Sequence, residues 1–269
     1  MKYFLIALIF ILVIYLYNKW FKIPKLNNVV MVSGAVKSGK TALSLHFAMK
    51  KYRSALRVYY LKKFFFIFFP KKKVELEKPL LYSNIPLATD YVPLTEDLIL
   101  RKCRFAYGSV IFIDEASLVA DSMDYKDESK NDALRLFNKL IAHETMGGTV
   151  IYNSQALNDM HFSIKRCIST YYYVHHIVTW LPFFVVAYVR ELFYDDTQSS
   201  MNVFEDDVEV KLRRVLYSKS IWKKYDCYTY SKLTDSLPVV NNVVEGAKLA
   251  DLKSDSYLHL KKEKKAKKE

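Results

Sequence analysis

The chain is short of the residues that make linkers, turns and cross-links. Its 269 residues include only 6 Gly and 7 Pro, which argues against a linker-rich or disordered protein. There are 3 cysteines, Cys103, Cys167 and Cys227, scattered and without a C-x-x-C spacing. That speaks against a disulfide framework and suits a reducing compartment. Acidic residues are also scarce, with 28 Asp+Glu against 41 Lys+Arg, a formal charge of +13. Such an excess favours a polyanionic partner, either nucleic acid or an anionic membrane face. Part of the excess is local. The stretch Lys261 to Glu269 holds six lysines against two glutamates and reads as a solvated basic tail. With 51% hydrophobic residues, the chain can bury a core in one large domain.

Where glycine is scarce, its placement carries information. Two of the six stand in Gly34-Ala35-Val36-Lys37-Ser38-Gly39-Lys40-Thr41. This fits G-x-x-x-x-G-K-[ST], the phosphate-binding P-loop. The glycines let the backbone turn tightly and aim several N–H groups at one point. Lys40 puts a positive charge on the β/γ-phosphates of ATP, and the Thr41 hydroxyl holds Mg²⁺. The context agrees. Asn28 to Ser33 reads as a strand, and Ala42, Leu45, Ala48, Met49 and Tyr52 recur as one helix face. The candidate nucleotide-binding residues are therefore Gly34 through Ala42.

About 75 residues downstream, Ser109 to Ile113 reads as a second buried strand ending in Asp114-Glu115. An aspartate there can hold the Mg²⁺ water shell. A glutamate one residue on can orient or deprotonate the attacking water. A third strand, Thr149 to Ser154, runs into Gln155. Gln155 reads either as a γ-phosphate sensor or as a plain polar strand end. Arg166, just beyond, reads either as an arginine finger toward a neighbouring subunit or as a surface arginine.

Long apolar runs are confined to two places. Tyr3 to Tyr17 is continuously apolar or aromatic, and the run through Phe21 is close to the length of a membrane helix. Lys2 precedes it, while Lys19, Lys22 and Lys25 follow. That bias predicts a single-pass anchor with the C-terminal side in the cytoplasm, where ATP is available. The second run, Phe64 to Phe69, is flanked by five lysines, Lys62, Lys63 and Lys71 to Lys73. It is too short to span a bilayer. It reads equally as a segment dipping into an anionic leaflet or as a short buried strand.

The remaining signals are structural. Leu80 to Ile85 predicts a strand, Thr95-Glu96-Asp97 a helix start, and Ala133 to Ile141 a helix face. The β-branched and aromatic runs on either side of Leu181-Pro182 predict a β-hairpin, and Asn202 to Ser218 further strand. Neighbouring His175 and His176 would point to opposite faces of a strand, so they are not read as a metal site. The expected organisation is an anchor over 1–22, an ATPase domain over 23–235 and a basic C-terminal extension over 236–269.

One set of features follows a fixed order along the chain. It is the P-loop GAVKSGKT, Ser83-Asn84-Ile85-Pro86-Leu87, the IFIDEA stretch around Asp114, His143 ahead of Thr149 to Gln155, Arg166, and Tyr225-Asp226-Cys227-Tyr228. Together these resemble the zonula occludens toxin (Zot) family, which includes the assembly ATPases of filamentous phages. The resemblance implies an α/β P-loop NTPase fold with a mainly parallel sheet, of the FtsK/HerA-like type found in hexameric DNA-translocating motors. It implies a homo-oligomer in the host inner membrane that extrudes single-stranded DNA with phage assembly proteins. Family members commonly carry the membrane helix after the ATPase domain, whereas here the hydrophobic segment comes first. Packaging or conjugative DNA translocation, and a nucleotide-binding membrane scaffold without turnover, are the rival expectations.

Overall fold

The computed structural model describes residues 15, 21, 26–68, 76–99, 105–118, 136, 137, 139, 147–155, 160, 162–192 and 212–225. Its centre is a run of short apolar strands: β1 (Val29–Gly34), β2 (Leu81–Ser83), β3 (Val92–Pro93), β4 (Val110–Ile113) and β5 (Thr149–Ser154). The longer strands β6 (Thr170–Val178), β7 (Phe184–Leu192) and β8 (Arg213–Ser218) follow. All eight join one sheet in the order β3-β2-β4-β5-β1-β6-β7-β8. From β3 to β6 every pairing is parallel, and β6-β7 and β7-β8 are antiparallel. The expected mainly parallel sheet with a hairpin extension is thus present. β5 stands between the P-loop strand β1 and the Asp-Glu strand β4.

The strands are apolar on both faces because both faces are covered. In β1, Val29 and Met31 enter one core layer and Val30 and Val32 the other. β4 repeats this, with Ile111 and Ile113 on one side and Val110 and Phe112 on the other. Phe137, a helical residue of the predicted Ala133 to Ile141 segment, is fully buried in the first layer. The rest of that segment lies largely outside the described residues.

The second layer is closed by α1 (Lys40–Phe68), 29 residues long. All five residues of its predicted apolar face, Ala42, Leu45, Ala48, Met49 and Tyr52, are buried. The helix does not stop there. No Gly or Pro occurs between Lys40 and Phe68, and Pro70 is the first residue able to break it. Phe64 to Phe68 is therefore helix, which overturns the buried-strand reading of this stretch. At 1.5 Å per residue α1 is about 43 Å long, whereas the six residues of β1 span about 20 Å. The sheet cannot cover the second half of the helix, and Arg53 to Ile67 is mostly exposed. The short helices α2 (Glu96–Ile99) and α3 (Phe162–Lys165) connect strands.

The hairpin extension is tied down by polar and aromatic pairs. The side chain of Glu191 on β7 is buried, accepts from Tyr172 Oη on β6 at 3.0 Å and pairs with Arg213 on β8. His176 stacks on Tyr188 with ring centroids 4.5 Å apart, and His175 lies edge-on to Tyr173. Neither histidine belongs to a metal cluster among the described residues.

His46 on α1 stacks on Tyr217 of β8, centroids 5.6 Å apart. Burial, and then Lys50 and Arg53 nearby, push its pKa from 6.5 down to about 4. The unfolded chain takes up this proton first, so stability falls as the pH drops through that window. The loss amounts to about 3 kcal/mol by the lower end. Urea unfolding at a series of pH values checks this, and His46→Phe is expected to flatten the slope between those two pKa values.

Among the described residues no helix is long and apolar enough to cross a membrane. The predicted anchor, Tyr3 to Phe21, lies outside the described residues apart from Tyr15 and Phe21.

Candidate nucleotide site

Strands β2, β4, β5 and β1 run parallel and end at one edge of the sheet. Each delivers residues of the candidate site there, the position at which open α/β sheets bind ligands. After β1 the backbone turns back on itself, with Ser38 N donating to Ala35 O at 3.1 Å. Lys37 and Gly39 adopt positive φ, 64° and 85°. Such left-handed steps turn successive N–H groups inward and make an anion-binding nest. A Cβ on Gly34 would lie 2.7 Å from the Val174 carbonyl oxygen of β6, so only glycine lets the loop leave the sheet here. Ala35, Val36 and Lys37 are exposed, Ser38 is buried, and Lys40 and Thr41 are half-buried. Ala42 is fully buried, so its side chain packs in the core and only its backbone belongs to the loop end of the helix.

The second half of the site comes from β4. Asp114 N donates to Asn84 Oδ1 at 2.7 Å, and Asn84 Nδ2 donates to Asp114 O at 2.8 Å. The Asn84 amide therefore fixes the backbone of Asp114 from the neighbouring strand end. Glu115 sits at φ 45°, uncommon for a residue with a side chain. Its Oε1 accepts from Ser117 Oγ at 3.1 Å.

Asn153 joins the two halves. Its Nδ2 donates to Thr41 Oγ1 at 2.9 Å and also to Asp114 Oδ1. The strand register explains the contact. Asn153 pairs with Val32, just ahead of the P-loop, and its neighbour Tyr152 pairs with Ile113, just ahead of Asp114. Burial raises the pKa of the Asp114 carboxyl. The Asn153 hydrogen bond opposes that, Glu115 adds to it, and Lys40 and the Thr41 hydroxyl oppose it again. Lys40, Thr41, Asp114, Glu115 and Asn153 thus form one electrostatic cluster.

Asn153 was not among the candidate site residues. The signal was the lone amide inside the TVIYNS strand, and it is 1% exposed. Gln155 lies exposed just beyond β5. Arg166 is exposed in the turn between α3 and β6. That turn lies at the opposite end of the parallel strands from the P-loop, so Arg166 does not reach the nucleotide site of its own chain. His143 lies outside the described residues.

The cluster fits a nucleotide and its metal. Ser38 Oγ in the loop and Asn153 Oδ1 are buried without a hydrogen-bond partner among the described residues. Among the described residues no group of three or more His, Cys, Asp or Glu is assembled there. A hydroxyl and a carboxylate suit Mg²⁺, which keeps waters and phosphate oxygens in its shell.

No family model matches the chain, and no curated protein does. Solved structures overlap it. The N-terminal domain of zonular occludens toxin from Neisseria meningitidis is 14% identical. The overlap covers 75% of this chain and 100% of that one, with a TM-score of 0.39. The genome packaging NTPase of Sulfolobus turreted icosahedral virus 2 in complex with AMP is 15% identical. It covers 76% and 98% of the two chains, with a TM-score of 0.35. The same NTPase in complex with ATP-gammaS overlaps at 16% identity over 58% and 76%, with a TM-score of 0.30. With TM-scores under 0.5 these overlaps carry no argument about function.

Proposed function

We propose that the chain hydrolyses ATP at this sheet edge, as a membrane-anchored motor that moves DNA during virion assembly or extrusion. The observation that supports this most is the Asn153 amide, which bonds both Thr41 of the P-loop and Asp114 of the Asp-Glu strand. A scaffold that only binds nucleotide has no need of a base beside the metal carboxylate. Lys40 and the loop N–H groups hold the phosphates. Thr41 and Asp114 are the groups that would hold Mg²⁺, which supplies charge neutralisation on the transferred phosphoryl group. Glu115 orients and deprotonates the attacking water. Gln155, exposed just beyond β5, would sense the γ-phosphate or hold the attacking water. Arg166, turned away from its own P-loop, acts only toward a neighbouring copy in a ring. The basic surface meets DNA phosphates with salt-sensitive, sequence-indifferent affinity, and Tyr3 to Phe21 holds the motor in the membrane.

The test is ATP turnover by the full chain in detergent, with and without single-stranded DNA, at two salt concentrations. Turnover is expected to rise with DNA at low salt and to vanish in Lys40→Ala. Nucleotide binding without turnover in any condition would leave only the scaffold.

A further inference from the structure

The second half of α1 is unlike the rest of the surface. Val58, Tyr60, Leu61, Phe64, Phe65 and Ile67 are 49%, 54%, 58%, 56%, 59% and 71% exposed. At about 100° per residue, Val58, Leu61 and Phe65 fall within about 60° of one another. Tyr60, Phe64 and Ile67 fill the adjoining sector. Together they cover about half the circumference. Lys62 and Lys63, both exposed, stand on the other half with the half-buried Tyr59 and Phe66 between them, and the exposed Arg57 falls inside the apolar sector. Across its whole length α1 carries seven Lys and Arg residues and not one Asp or Glu.

The topology places this half-cylinder. α1 starts at the P-loop and packs back along the sheet over Val30, Val32, Phe112 and Ile151. Its far half therefore emerges at the end where β1 begins. Leu26, half-buried against the same layer, brings the chain in at that end from the apolar run Tyr3 to Phe21. At about 18 Å, the twelve residues 57–68 are too short to span a bilayer.

We propose that residues 57–68 of α1 form an interfacial helix, which lays its apolar half into the headgroup region of an anionic leaflet. A short, largely apolar helix end that carries basic residues and no acid suits the interface of an anionic leaflet. Lys62 and Lys63 reach back to lipid phosphates and carboxylates. A second copy of this helix is a poor occupant, because two acid-free cationic helices repel. The basic base of the helix adds to the attraction. Arg53 lies near Lys224 of the turn after β8, and burial and then Arg53 push Lys224 down. The inference rests on the membrane-anchored reading above.

The test uses the full chain reconstituted in vesicles, with Phe65→p-benzoylphenylalanine as a photo-crosslinker. Trp180→p-benzoylphenylalanine is the control, since Trp180 is 79% exposed on the hairpin tip at the opposite end of the sheet. Flotation of the vesicles reports anchoring, and mass spectrometry of the labelled peptide reports what covers the helix. Phospholipid adducts are expected at position 65 and not at 180. Without phosphatidylserine the docked-to-free ratio is expected to fall roughly 30-fold, the weight of two lysines at an anionic surface. Flotation without an adduct at 65, equal adducts at both positions, or a cross-linked dimer through 65 overturns the interfacial helix and leaves anchoring intact. Failure to float overturns both.

Discussion

Glu115→Gln is expected to slow ATP hydrolysis by about 100- to 10,000-fold, the usual contribution of a positioned general base, while leaving ATP bound. The two side chains have nearly the same shape, and the amide oxygen can still accept from Ser117 Oγ, now 3.1 Å from Glu115 Oε1. The left-handed backbone at residue 115, φ 45°, is unchanged by the swap. What is lost is the ability to take a proton from water. The phosphate nest and Lys40 stay intact, so binding of a fluorescent ATP analogue is expected to match the unaltered chain. Single-turnover kinetics separates the two quantities. Unimpaired hydrolysis by the variant would move the base elsewhere, with Gln155 excluded as an amide that cannot act as one.

Asn153→Ala is expected to raise the Mg²⁺ concentration needed for half-maximal turnover by about 10- to 100-fold, the usual cost of losing a residue that orients metal ligands. The Asn153 Nδ2 group donates both to Thr41 Oγ1 and to Asp114 Oδ1, so one truncation releases both groups. Asn153 is 1% exposed, and its loss also costs stability. The readout must therefore separate the two effects. Nucleotide affinity in excess chelator should hold at temperatures where the variant stays folded, while the Mg²⁺ titration shifts. A variant with an unshifted Mg²⁺ titration would reduce Asn153 to a packing role.

The P-loop was legible because its spacing is a local requirement of phosphate geometry. The strand before it and the helix face after it were legible because both cores impose a period: alternate residues in β1, and Ala42 to Tyr52 in α1. Asp114 and Glu115 were legible from an apolar run ending in acids. The pairing that unites these pieces was not. Asn153 and Asn84 act through register, β5 against β1 and β4 and β2 against β4, and register is a property of the folded sheet. The helical state of Phe64 to Phe68 was hidden for another reason. Aromatic residues favour strands in isolation, and here the helix already running from Lys40 meets no glycine or proline to stop it. Arg166 was singled out by its distance along the chain from Gln155, and the fold carries it to the far end of the strands.

The absence of a break in α1 has a mechanical side. One end of this rod carries Thr41, which bonds Asn153 in the candidate site, and the other carries Phe65, beyond the reach of the sheet. Over about 43 Å, a tilt of about 5° at the loop displaces the tip by about 4 Å. On length alone, α1 has the proportions of a lever arm.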